Sequence, residues 1–242
     1  SKLLLQKFAG VPALFLLLSL TAPLFAAETT YLAASQLDGI ALLAPPPELG
    51  SPEQAADLEM SRSVVHARTA ADEARANKSA KLTLFNFAPA IGDFFQPDKF
   101  PKLEKFYSDM KPELRATINR PKDHWKRQRP YQIDPSLDFG KPESSFSYPS
   151  GHSTTGTVQA LLLAELFPDK REALLEISRG IGWDRVVIGK HFLTDVRAGR
   201  VYGQAIFREL LKSPAFQRDL AELKAEVQTA RQVKLEGAAV AP

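Results

Sequence analysis

The 242 residues contain no cysteine, which excludes a disulfide framework, a zinc–thiolate centre and a cysteine nucleophile. Histidine is scarce as well: His66, His124, His152 and His191 are the whole supply, fewer than a multi-metal hydrolase usually spends. Charge of one sign is also lacking. The formal net charge is +3, and no Lys/Arg run exceeds "KRQR" at 126–129, so no nucleic-acid footprint is expected. No segment alternates apolar and polar residues over a strand's length between hairpin turns. Beyond the N-terminus, no stretch reaches the roughly 18 uninterrupted apolar residues of a membrane span.

The N-terminus reads as a targeting segment. Lys2 and Lys7 precede "VPALFLLLSL", and the small residues of "APLFAAE" follow. This is the pattern of a secretory signal peptide over 1–26, with Ala26 or Ala27 the last residue removed, a periplasmic or secreted product, and no stable membrane insertion after cleavage. The alternative is an uncleaved anchor. Residues 27–50 end in "LLAPPPELG", and the proline run predicts an extended arm. Helix signals fill 51–232. Ser51, Pro52 and Gln54 form a capping-box pattern, and helix formers then run to about Asn77. Leu103, Phe106, Tyr107 and Met110 keep helical spacing. "TVQALLLAELF" is apolar almost all round and predicts a central buried helix stopped by Pro168. The chain is expected to form one all-α domain with a disordered tail over 233–242.

Four places carry candidate chemistry. Lys122 and Arg129, in "KDHWKRQRP", are seven apart and would share a face of a helix capped by Asn119, opened by Pro121 and ended by Pro130. By themselves they read equally as a solvated basic face. In "SYPSGHSTTG" a turn at Gly151 hands over to a helix, so free N–H groups and the helix dipole favour an anion there, with Ser150 adding a hydroxyl and His152 a proton donor or acceptor. An ordinary capped helix start would look the same. Arg185 offers a fork for phosphate oxygens. His191 and Asp195 are four apart, so one helical turn would let the carboxylate set the imidazole tautomer, for nucleophilic chemistry or simply for packing. Arg185 and His191 lie roughly 240° apart around an unbroken helix, so they converge only if the helix breaks, and Gly189 is placed to break it.

Taken together, Lys122-x6-Arg129-Pro130, Pro149-Ser150-Gly151-His152 and Arg185-x5-His191-x3-Asp195 resemble the three-part signature of the type 2 phosphatidic acid phosphatase superfamily. The best resemblance is to its class A bacterial nonspecific acid phosphatases, and it covers about residues 31–230. It implies a helical bundle of the phosphatidic acid phosphatase and vanadium haloperoxidase kind. It implies His191 as nucleophile, Asp195 as its orienting carboxylate, and His152 as general acid and then base. Lys122, Ser150, Gly151, Arg129 and Arg185 would hold the phosphate, with no metal and no cofactor. Small phosphate monoesters are the expected substrates, vanadate and phosphate the expected inhibitors, and a homodimer the suggested assembly; phosphotransfer to alcohols would be a side activity. One departure is Asp184, where the family pattern usually has Ser before the arginine. A carboxylate there could orient Arg185 or repel phosphate. Three rival readings share the anion site. Lipid or isoprenoid phosphate phosphatases usually carry it on several membrane-spanning helices, and vanadate-dependent haloperoxidases are usually much longer. A non-catalytic phosphate-binding protein would gain nothing from a His–Asp pair.

Overall fold

The computed structural model describes residues 30–32 and 36–240; the expected signal peptide and its cleavage site lie outside the described residues. Among the described residues there are ten α-helices and no strand. They are α1 (Gly39–Leu42), α2 (Pro52–Ala67), α3 (Ala70–Ser79), α4 (Ala88–Ile91), α5 (Pro101–Trp125), α6 (Pro130–Ile133), α7 (Gly151–Leu166), α8 (Arg171–Val187), α9 (Leu193–Leu210) and α10 (Pro214–Val240). No described helix is long and apolar enough to cross a membrane.

The all-round apolar segment is the central helix. In α7, Val158, Ala160, Leu162 and Leu163 are fully enclosed. α8 and α9 flank it, and α2 and α3 pack outside α8. α5 and α10 close the remaining side, with Phe87, Phe95, Phe100 and Phe167 buried in the core and the last three in tilted or edge-on ring contact.

Two glycines on α9 set how closely it approaches α7. A Cβ at Gly199 would lie 2.7 Å from the Ser150 carbonyl oxygen, and one at Gly203 2.7 Å from that of Thr154. The near contact lets the Ser150 N–H donate to the Asp195 carbonyl (3.0 Å) and the Ser153 hydroxyl to the Val196 carbonyl (2.7 Å). The starts of α7 and α9 are thereby locked together.

Several expectations change. The capping box at Ser51 is half formed. Ser51 caps Gln54 N–H (3.1 Å), but the Gln54 side chain accepts from Arg127 instead. The helical run from there is two helices, because Thr69 and Asp72 make a reciprocal capping box that starts α3. No helix begins near Asn119; α5 runs unbroken through Pro121 to Trp125. A proline inside a helix orphans the carbonyl four residues earlier. Here that is Thr117, and the Tyr202 hydroxyl donates to it at 3.0 Å. α5 then ends on Lys126 in the left-handed conformation (φ 48°), so Lys122 and Arg129 do not share a helix face, and Pro130 opens α6 rather than ending a helix. Finally, α10 continues to Val240 through the expected tail, whose Lys, Leu, Glu and Ala residues favour helix. The arm likewise contains the short helix α1, capped by Asp38.

Gly199→Ala should destabilise the fold by about 1–3 kcal/mol, because the methyl group meets backbone rather than a movable side chain. Denaturant unfolding checks the magnitude. An unchanged midpoint would mean that the α7–α9 contact is looser than described.

Candidate active site

The three sequence patterns converge on one cleft of about 560 Å³. Lys122 comes from the last turn of α5 and Arg129 from the extended stretch before α6. Gly151 and His152 begin α7, and His191 lies in the turn between α8 and α9. That turn forms as anticipated. α8 stops at Val187, and Gly189 takes a φ of +66° where a Cβ would collide with the Leu137 carbonyl. The N–H groups of Lys190 and His191 both fold back onto the Arg185 carbonyl (2.9 and 3.1 Å).

His191 is buried, and its two nitrogens face different partners. Nδ1 lies 3.3 Å from Asp195 Oδ2, so it carries the proton and donates. Nε2 points towards the cleft, 3.3 Å from Arg129 Nη1. Burial, then the nearby Arg129, Lys122 and Arg185, hold its pKa well below the ordinary histidine value, so the ring is neutral. Asp195 is held in turn by Arg127 Nη1 (2.6 Å), Ser147 Oγ (2.5 Å) and the Phe192 N–H (2.9 Å). His152 donates from Nε2 to the Ala80 carbonyl (2.9 Å), which leaves Nδ1 with the free lone pair. Burial and then Arg185 push its pKa down to about 4.

Three cations surround the neutral imidazoles. Lys122 donates to the carbonyls of Phe146 (2.5 Å) and Ser147 (3.3 Å); burial and then Arg129 push its pKa down to about 7. Arg129 donates to the carbonyls of Ser145 (2.9 Å) and Lys190 (2.7 Å). Arg185 is buried, and its Nη2 meets the Glu143 carboxylate at 2.6 Å. Its Nε is enclosed without a hydrogen-bond partner among the described residues. Burial lowers the pKa of both arginines. Such a site gains by accepting a compact anion, which offsets cation–cation repulsion and desolvation together. Lys190, also buried, adds a fourth cation behind it, over the Tyr131 ring.

Ser150 and Asp184 sit differently from the simplest expectation. Ser150 is the N-cap of α7 and accepts from the Ser153 N–H (3.3 Å). The Asp184 carboxylate turns away from the site and pairs with Arg75 (2.8 Å) and the Ser79 hydroxyl (2.9 Å), tying α3 to α8. It neither orients Arg185 directly nor faces the cleft. Sequence reading missed Arg127, Ser147 and Glu143. Arg127 was visible only as one member of the basic run, and its acceptors Asp57 and Gln54 lie some seventy residues away.

Comparison with known proteins shows what the chain is similar to. Residues 114–218 match the model of the PAP2 superfamily. An acid phosphatase of Zymomonas mobilis is 33% identical over 206 residues, covering 80% of this chain and 77% of that protein. A non-specific acid phosphatase of Providencia stuartii is 30% identical over 207 residues, covering 81% and 84%. Among solved structures, a transmembrane PAP2-type phosphatidylglycerolphosphate phosphatase of Bacillus subtilis aligns over 72% of this chain and 89% of its own, with 23% identity and a TM-score of 0.49. The chain belongs to the PAP2 superfamily. As such it is an enzyme, a phosphoric monoester hydrolase.

Two measurements probe the site. Sulfate is a tetrahedral dianion that does not itself titrate near neutrality. Its binding should raise the pKa of Lys122 from about 7 and of His152 from about 4, because an anion favours both charged forms. Calorimetry at pH 7 in buffers of differing ionisation enthalpy should therefore show proton uptake; zero uptake or release would contradict the assignment. Glu143→Gln should lower the KM for phosphate esters by about three- to tenfold, since a charge that competes for Arg185 is removed. A raised KM would show that the carboxylate assists binding instead.

Proposed function

We propose that this protein is an exported, metal-independent acid phosphatase that hydrolyses a broad range of phosphate monoesters through a phosphohistidine. The observation that carries the reading is the orientation of His191, with Nδ1 held by Asp195 and Nε2 directed at a cation-lined cleft.

The Nε2 lone pair attacks phosphorus in line with the ester oxygen. As the N–P bond forms, the P–O bond breaks, and protonated His152 gives its proton to the departing alkoxide. Bound phosphate supports that protonation, since the dianion counters the arginine charge that otherwise depresses the His152 pKa. Neutral His152 then takes a proton from water as the oxygen attacks phosphorus; the P–N bond breaks and phosphate leaves. An alcohol in place of water would give phosphotransfer. Charge in the transition state spreads over the equatorial oxygens, where Lys122, Arg129, Arg185, Ser150 and the N–H groups of Gly151 and His152 would receive it. Vanadate, which adopts the same five-coordinate shape, should inhibit, as should phosphate. Export to the periplasm or medium rests on the N-terminal pattern, and a homodimer on the family resemblance.

Rapid-quench labelling in EDTA, with an alkyl and a nitrophenyl phosphate, tests the scheme. His191→Ala should never label. His152→Ala should lose about 10²–10⁴-fold on the alkyl ester, whose alkoxide needs a proton, and much less on the nitrophenyl ester. With the latter its phosphoenzyme should accumulate, because hydrolysis still lacks a base. Labelling of His191→Ala, equal losses on both esters, or no labelling of the native enzyme in EDTA would overturn the assignment.

A further inference from the structure

The cleft continues outward past the phosphate cradle, and its outer wall is charged. On α5, Lys111, Arg115, Asn119 and Lys122 fall within about 80° around the axis, and all four line the cleft. Lys122 is the buried end of this stripe; Lys111 and Arg115 are exposed at the mouth. Lys81 also lines the cleft and directly follows Ala80, whose carbonyl holds His152.

Lys81, Lys111 and Arg115 form no ion pair among the described residues, so no carboxylate neutralises them at the cleft. The only carboxylate lining the cleft among the described residues is Glu143, and Arg185 already holds it. Lys111 is further fixed above the Tyr107 ring, 5.1 Å from its centroid. The proposed mechanism uses none of the three. All three line the cleft beyond the phosphate cradle, and Lys81 follows the residue that holds His152, the group assigned to the departing alcohol, so a leaving group that extends along the cleft meets them.

We propose that Lys81, Lys111 and Arg115 form a second anion subsite, which selects phosphate monoesters whose alcohol carries a second phosphate. The inference rests on the phosphatase reading above and names its preferred substrate class. Seven residues of helix put Arg115 about 10 Å along α5 from Lys122. That span suits two phosphates separated by a sugar-sized spacer rather than two joined in an anhydride. Unneutralised cations at the rim also raise the local concentration of such a polyanion before it docks.

A matched pair of substrates isolates the effect: hexyl phosphate, and 1,6-hexanediol bisphosphate, which differs only in its far phosphate. At low salt the native enzyme should favour the bisphosphate in kcat/KM by about tenfold beyond the statistical factor of two. In a Lys111→Ala/Arg115→Ala variant the preference should fall to about that factor. If these residues merely support α5, both substrates will lose equally and the ratio will not move, which overturns the subsite. Inhibition of the native enzyme offers a readout independent of any variant. 1,6-Hexane bisphosphonate should bind about tenfold more tightly than hexylphosphonate, with the advantage lost at high salt. Hydrolysis of hexyl phosphate with no preference for the bisphosphate overturns the subsite alone. Failure to hydrolyse either substrate overturns the phosphatase reading and the subsite with it.

Discussion

The buried guanidinium of Arg127 is the contact on which the rest of the site depends. It donates to Asp195 and Thr194 through one nitrogen and to Asp57 and Gln54 through the other, and lies over the Phe192 ring. One cation therefore joins α2, the segment after α5 and the start of α9. A charged group taken out of water is tolerated only when nearly every donor finds an acceptor, and losing one partner of such a pair costs about 3–5 kcal/mol. The network has one outlet towards the cleft. Asp195 is immobilised by Arg127 and Ser147, and the carboxylate so fixed directs the Nδ1 proton of His191. The orientation of a single imidazole is thus set by contacts that begin on α2.

In front of that scaffold the energetic balance reverses. Lys122, Arg129 and Arg185 are buried close together, and their depressed pKa values express the cost of desolvation for all three and, for Lys122 and Arg185, the repulsion of Arg129 as well. Loop carbonyls accept from Lys122 and Arg129 without cancelling their charge. Glu143 is the exception and stands where part of an anion's charge would fall. Packing supplies the rigidity that this arrangement needs. The glycine approach of α9 to α7 fixes the position of the α7 N-terminus relative to Asp195, and Gly189 fixes the turn that carries His191. The cradle is thereby preorganised by backbone contacts as well as by its own side chains.

Much of the fold was legible in the sequence, because its signals act over a few residues. The all-round apolar character of 157–167 placed the central helix, the Ser51–Pro52 pair its start for α2, and Gly189 the break between Arg185 and His191. The three spacings singled out residues that do meet in one cleft. Two of the errors, at Gln54 and Pro121, arose where distant residues overrule local preference. Pro121 looked like a helix start because nothing nearby can replace the bond it removes. The replacement is the Tyr202 hydroxyl, some eighty residues later.

The sequence by itself determined the helical class, the chemical types gathered at the site and the family to which the chain belongs, since composition, periodicity and short spacings express all three. Only the tertiary structure decided how those groups are charged and aimed. Arg127 became the anchor of Asp195, Asp184 turned towards Arg75, and Glu143 came to rest on Arg185. Each outcome follows from burial and from partners far along the chain, because electrostatic energies depend on distance and desolvation, neither of which is written in residue order.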